Sequence, residues 1–209
     1  MVTSPINTST SDRPAANDLS CMIALGEEIK SVGKAAYQIN LTGINAILLA
    51  GRAGESARGF GVLSGQLREF TRGLAVSMDR LGTLIDGAVD AVSDHMRHRR
   101  LMSLLLRTAD HDERCADLIA PALQSGAAAT ARRLDRVTER RDALRAAIDE
   151  ARALGSTGSM LARTAKIEAA YGGGFRQEMT GVSGEFDRTV SNIVASLGTL
   201  ARLQREGQS

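Results

Sequence analysis

The sequence predicts an all-α protein, built of long antiparallel helical hairpins packed as a four-helix bundle or coiled coil. Three observations carry that prediction. Aromatic residues make up 3% of the 209 positions, with no Trp, whereas strands are enriched in aromatic and β-branched side chains. All three prolines lie at or before Pro121, which leaves the rest of the chain without the strongest helix breaker. Apolar residues recur in alternating steps of three and four, the seam spacing of helices that pack together. At 43% hydrophobic residues, the chain carries enough apolar surface to bury a core.

Residues 1–17 are rich in Ser, Thr and Pro and read as a flexible N-terminal arm. Periodicity begins after Asp18, a residue type suited to an N-cap. Met22, Leu25, Ile29, Val32, Ala36, Ile39 and Gly43 form one seam that continues through Ala46 to about Ala53. Gly54 interrupts it, and Glu55 to Gly59 is short enough to be a hairpin turn. A second seam follows at once, through Phe60, Leu63, Leu67, Phe70, Leu74, Ser77, Leu81, Leu84 and Ala88. The two seams are the limbs of a first hairpin, assigned to 18–95. A limb of about 35 residues extends about 50 Å, and a lone pair of that length cannot cover its apolar faces.

A second hairpin, assigned to 127–205, supplies the missing cover across a connecting segment at 96–126 that breaks around Pro121 to Gly126. Its first helix is expected from about Ala127 to Leu154, with Leu134, Val137, Leu144, Ile148 and Ala151 on the seam. Gly155 to Gly158 is expected to bend or interrupt it, since each Gly costs about 1 kcal/mol in a helix. A helical stretch from Met160 to Tyr171 ends at Gly172-Gly173-Gly174, and the last helix carries Val182, Phe186, Val190, Ile193, Leu197 and Leu200. A weak repeat links the halves. Ser64-Gly65-Gln66-Leu67 returns 119 residues later as Ser183-Gly184-Glu185-Phe186, and Leu81-Gly82-Thr83-Leu84 returns 116 residues later as Leu197-Gly198-Thr199-Leu200.

Charge and cysteine content narrow the function. With 26 basic and 24 acidic residues the net charge is +2, which points to no polyanionic partner. Interleaved acids turn the basic stretches at Arg97–Arg100, Arg132-Arg133 and Arg140-Arg141 into solvated, salt-bridged helix faces rather than a nucleic-acid surface. Cys21 and Cys115 have no metal-ligand spacing. No apolar run approaches the length of a transmembrane helix and none resembles a signal peptide, so the expected location is the cytoplasm. The sequence calls for no cofactor and no metal.

The segment 37–75 carries the functional signal. Arg52-Ala53-Gly54-Glu55 is followed by Arg58-Gly59-Phe60, with Gln38, Asn40, Asn45, Ala46, Ala50, Val62 and Arg68 in the same ungapped order. This run resembles the cytoplasmic signalling tip of bacterial chemoreceptors, the methyl-accepting chemotaxis proteins. The resemblance implies a helical hairpin that pairs into a four-helix bundle. It also implies that the tip docks a histidine kinase and a coupling adaptor, with further contacts to other chemoreceptors or copies of itself. Leu41, Ile44, Glu55, Arg58 and Val62 are the implied adaptor or kinase contacts. Tyr37, Asn45, Leu48 and Arg52 are the implied oligomer contacts. Gly54, Gly59 and Phe60 form the turn, where Gly permits a reversal or a close approach.

Departures from the family pattern are local. Leu49 stands where the family carries Glu, Gly51 replaces Ala, Gln66 replaces Glu, and Thr42-Gly43 replaces Leu-Ala. Leu161 to Ala170 echoes the same pattern, with Glu168 at the place of Leu49, while the turn after Tyr171 reads as shorter than the family's. Two divergent hairpins in one chain would make a single-chain pseudo-dimer. Glu27-Glu28 lies too near the turn for the family's methylated acids and reads as a solvated face, and no membrane span, ligand domain or methylation region is expected.

Other chemistry is thinly represented. Phosphotransfer requires an exposed His with a nearby acid; Asp94-His95 and His111-Asp112 offer that pairing without a recognisable phosphoacceptor motif. The expectation is a non-enzymatic, chemoreceptor-like signalling protein. A degenerate receptor-derived scaffold without kinase control is the alternative, and a histidine phosphotransfer bundle is a minor one.

Overall fold

The computed structural model describes residues 13–111 and 113–207, with the side chains of 13–19, 111 and 113–115 outside that description. Four α-helices account for nearly all of it: α1 (Arg13–Ala53), α2 (Arg58–His111), α3 (Glu113–Ala169) and α4 (Arg176–Glu206). Short 3-10 turns at Gly54–Ala57 and Gly173–Phe175 lie between α1 and α2 and between α3 and α4. Among the described residues there is no strand. The all-α hairpin architecture expected from the sequence is what the chain adopts.

Two compact units divide the chain, and they cut across the helices. One consists of Ala24–Thr83 with the chain from Arg145 onward; the other consists of the chain up to Ile23 with Leu84–Leu144.

The first of these is a four-helix bundle. Its core falls on the predicted seams: Leu25, Ile29, Val32, Ala36, Ile39, Ala46 and Ala50 of α1 are buried, as are Phe60, Leu67, Phe70, Leu74 and Leu81 of α2. Facing them are Ile148, Ala151, Ala162, Ala165 and Ala169 of α3, and Met179, Phe186, Val190, Ile193, Leu197 and Leu200 of α4. Size is partitioned between the helices. Near the turns α1 and α3 contribute Ala, while α2 and α4 contribute Phe60 and Met179, so large and small side chains interdigitate. Further along, Gly158 gives its missing side-chain volume to the Phe70 ring, and Gly155 sits under the Leu197 methyls. The expected interruption at Gly155–Gly158 does not occur, because both glycines are buried at helix contacts and the packing they admit offsets their poor helix propensity.

The internal repeat is stricter than the sequence suggests. At one constant separation of 119 residues, Ile29 matches Ile148, Ala46 matches Ala165, Ala50 matches Ala169, Phe60 matches Met179, Ser64 matches Ser183, Leu67 matches Phe186 and Leu81 matches Leu200; all fourteen residues are buried. The separation of 116 at Leu81-Gly82-Thr83-Leu84 is therefore a slip of three residues between similar helical stretches. The turns obey the register too. Gly54 (φ +71°) and Gly173 (φ +56°), 119 residues apart, carry the two positive φ angles among the described residues. The second turn, residues 170–175, is no shorter than the first, Gly54–Ala57, which corrects the shorter turn expected there. Even the buried hydroxyls agree: Ser64 Oγ donates to the Phe60 carbonyl (2.8 Å) and Ser183 Oγ to the Thr180 carbonyl (3.1 Å), the back-bonding by which a helix satisfies a buried Ser.

The other unit pairs the end of α2 with the start of α3. Ala91, Val92 and Val137 form its small core, with Met96 packed against it. Arg133 Nε donates to Asp94 Oδ2 at 3.0 Å, and His98 Nε2 lies 3.1 Å from the Gly126 carbonyl oxygen. Here the sequence reading needs correction. Residues 96–126 are helical apart from the undescribed position 112, and α3 runs through Pro121. Pro removes one backbone donor, but the rest of the long helix stays paired. Leu134, placed on the seam, is 52% exposed. Likewise α1 starts at Arg13, ahead of Asp18; of the N-terminal arm, residues 1–12 lie outside the described residues, as do the side chains of His111 and Cys115.

Two glycine substitutions separate packing from propensity. Gly158→Val drives methyls into the Phe70 ring and is expected to destabilise the protein by about 1–3 kcal/mol. Gly82→Ala, with open space around its Cα, is expected to stabilise by about 0.5–1 kcal/mol. Urea unfolding followed by circular dichroism measures both.

Candidate functional site

Two faces of α1 explain the geometry of the first hairpin turn. Ala36, Ile39, Ala46 and Ala50 point into the bundle. On the opposite side Tyr37 (64% exposed), Leu41 (45%), Ile44 (37%) and Leu48 (64%) face outward. Their steps of four, three and four place them on one stripe of the helix. Asn45 and Arg52 are exposed beside the same stripe. The residues implied as adaptor or kinase contacts and those implied as oligomer contacts thus share one continuous surface rather than two.

The stripe leads to the turn. Gly54 reverses the chain in the left-handed region, where an L side chain costs about 1–2 kcal/mol. Ser56 Oγ donates to the Ala53 carbonyl at 3.1 Å, bracing the turn. Glu55 and Arg58 approach to 3.7 Å (Oε2 to Nη1), with side chains 90% and 78% exposed. An ion pair so solvated contributes only about 0–1 kcal/mol, so both charges are available to another molecule. Ile47, Ala50, Gly51, Gly54, Glu55, Arg58, Gly61 and Val62 line an open groove of about 460 Å³ between the limbs. Val62 is 58% exposed at its edge.

The remaining turn residues act inside the protein. Phe60 is completely buried; it locks the limbs and offers nothing to a partner. Gly59 lies within α2, and the Glu168 carboxylate of α3 rests where a Cβ would stand. It serves close approach, not reversal. Glu168, at the repeat position of Leu49, thus reaches across to the first hairpin. Two further cross-links position the limbs. Arg68 lays its aliphatic stem over Gly43 and donates from Nε to Asn40 Oδ1 (3.2 Å), and Thr42 Oγ1 donates to Glu185 Oε1 of α4 (2.9 Å). Sequence reasoning assigned no role to Thr42 or Arg68, because their partners become visible only once the hairpins pack.

Among the other candidates, Glu27 pairs on its own helix with Lys30 at 2.9 Å, both solvated. His95 is partly buried. Burial, and after it the charges of Arg99, His98 and Arg133, lowers its pKa, opposed by Asp94. Its Nδ1 is buried without a hydrogen-bond partner, while Asp94 Oδ2 accepts from Arg133 (3.0 Å), with Arg136 at 4.0 Å. The acid adjoining His95 in sequence is thus occupied by arginines. No helix among the described residues is long and apolar enough to cross a membrane.

No protein-family model matches the chain. A stretch of 68 residues is 34% identical to Methyl-accepting chemotaxis protein IV of Escherichia coli (strain K12). It covers 32% of this chain and 13% of that receptor, so the likeness is to a small part of the relative. It supports a chemoreceptor-like relationship.

Gly54→Ala is expected to lower stability by about 1–2 kcal/mol, whereas Glu55→Ala and Arg58→Ala each change it by less than about 1 kcal/mol; thermal melts of the three variants measure this. A lowered His95 pKa means the folded state favours the neutral ring. Its stabilising contribution is present above the ordinary value of 6.5 and is lost as pH falls through the lowered value. A pH series of unfolding curves should show this loss in the wild type and a weaker one in His95→Gln.

Proposed function

We propose that this protein is a chemoreceptor-like signalling protein of the cytoplasm, whose first hairpin turn docks a histidine kinase and a coupling adaptor. The observation that carries the reading is the outward stripe of Tyr37, Leu41, Ile44 and Leu48 leading to Glu55, Arg58 and Val62 around one groove. Apolar side chains exposed in register on a helix that already has a full inner face are unusual on a surface with no partner. Two solvated charges beside them would give a partner orientation as well as affinity. The partial likeness to a chemotaxis receptor supports the choice of partner class.

The signal would be a shift in helix packing within the bundle, passed to the docked kinase through the turn. The groove walls belong to both limbs, so any change in their spacing alters the surface the partner reads. The reading assigns the protein a binding role, not an enzymatic one.

A second reading keeps the docking and drops the kinase control, leaving a scaffold that bridges or sequesters signalling proteins. Leu49 favours it, because the family's carboxylate at that place is gone from the first hairpin. The two readings part in a kinase assay: a controlling protein changes the autophosphorylation rate of the kinase–adaptor pair, and a scaffold leaves it unchanged.

Leu41→Asp and Arg58→Glu are each expected to weaken binding of purified adaptor by about tenfold or more, with unchanged melting curves because both side chains are exposed. Binding that survives both substitutions in a titration would remove the site.

A further inference from the structure

We infer that the bundle is one-sided, so that each chain presents a single docking face and engages one adaptor. The inference rests on the docking reading above and adds its stoichiometry. It follows from the repeat register. The two hairpins close one core within a single chain, and positions 29–81 of the first have structural counterparts 119 residues on, as the buried pairs and the two left-handed glycines establish. A symmetric bundle would therefore carry its docking surface twice.

The counterparts do not carry it. Leu41 corresponds to Met160, which is 63% exposed and keeps the apolar character. Ile44, however, corresponds to Arg163, so a cation stands in the middle of the stripe. Glu55 corresponds to Gly174, Arg58 to Gln177 and Val62 to Gly181, which removes both charges and the apolar edge. Ile47, a wall of the groove, corresponds to Lys166, which is tied to Asp187 at 2.9 Å. Of the rest of the stripe, Tyr37 corresponds to Ser156, and Leu48 to Ile167, which stays apolar and 61% exposed. Binding energy concentrates in a few anchor side chains, and of the five implied adaptor or kinase contacts the second face keeps only the apolar character of Leu41. A partner that fits the first face, with apolar surface for Leu41 and Ile44 and charges complementary to Glu55 and Arg58, finds a cation and two bare glycines on the second. Its affinity there should be lower by about a hundredfold or more. A protein with one such face occupies an adaptor without linking it to another.

Calorimetric titration of the full-length chain with a purified chemotaxis coupling adaptor tests this. One adaptor per chain is expected. Two per chain with similar affinities would overturn one-sidedness and leave the docking reading intact; no binding would overturn the docking reading and this inference with it. The complementary variant restores the second face: Arg163→Ile, Gly174→Glu, Gln177→Arg and Gly181→Val together. Gly174 and Gly181 have open space around them and no positive φ, so the fold tolerates side chains there. The variant is expected to take up a second adaptor. If its melting curve is unchanged and it still binds one, these positions are not what makes the protein one-sided.

Discussion

Four helices close around Phe60 and Met179 only because α1 and α3 yield the volume those side chains need. Ala46, Ala50, Ala165 and Ala169 stand where larger residues would push the helices apart, and protein interiors tolerate neither gaps nor overlap of a methyl group without cost. The small residues lie on the first limb of each hairpin and the large ones on the second, in the same register. That division fixes which helix faces inward and how far each hairpin can slide against the other. Everything at the turn inherits it, including the depth of Phe60, the approach of Glu168 to Gly59 and the width of the groove beside Gly54.

The same constraint explains why α1 carries two apolar stripes. Its inner stripe is committed to the core by residues such as Ile39 and Ala46, so Tyr37, Leu41, Ile44 and Leu48 cannot turn inward without withdrawing it. Rotation of α1 would exchange one exposed set for the other at no gain. The outer stripe is therefore held in place by the packing of the inner one, and the surface proposed for docking is fixed in its placement although solvated. The proposed docking face thus takes its geometry from core residues buried beneath it.

Much of this was legible in the sequence. The period of three and four, the low aromatic content and the break at Gly54 specify helices, hairpin and core seam, since each follows from local geometry. The family resemblance singled out the stripe and the charged pair that the structure brings to one surface. What the sequence hid were compensations made in three dimensions. Pro121 and the pair Gly155 and Gly158 look like breaks because their cost is local, whereas the packing that offsets it at the glycines comes from Leu197 on α4 and Phe70 on α2. The constant register was masked by Leu197-Gly198-Thr199-Leu200, which copies Leu81-Gly82-Thr83-Leu84 three residues out of step. The second turn reads as shorter than the family's because it lacks the Glu and Arg of the first, yet its left-handed glycine at 173 keeps the place of Gly54.

Glycines elsewhere in the helices bear on how such a bundle could signal. Gly33, Gly73, Gly82 and Gly198 lie within helices with open space where a Cβ would stand, so neither packing nor backbone conformation requires them. Each costs about 1 kcal/mol relative to Ala, and together they bring the helices closer to the point where local bending is inexpensive. Gly43, Gly59 and Gly61 near the turn, and Gly155 and Gly158 farther along, instead sit under a neighbouring side chain, whereas Gly51 beside the turn is open. Packed and open glycines thus alternate along the limbs, so any bending concentrates at the open ones while the packed ones hold the helix contacts.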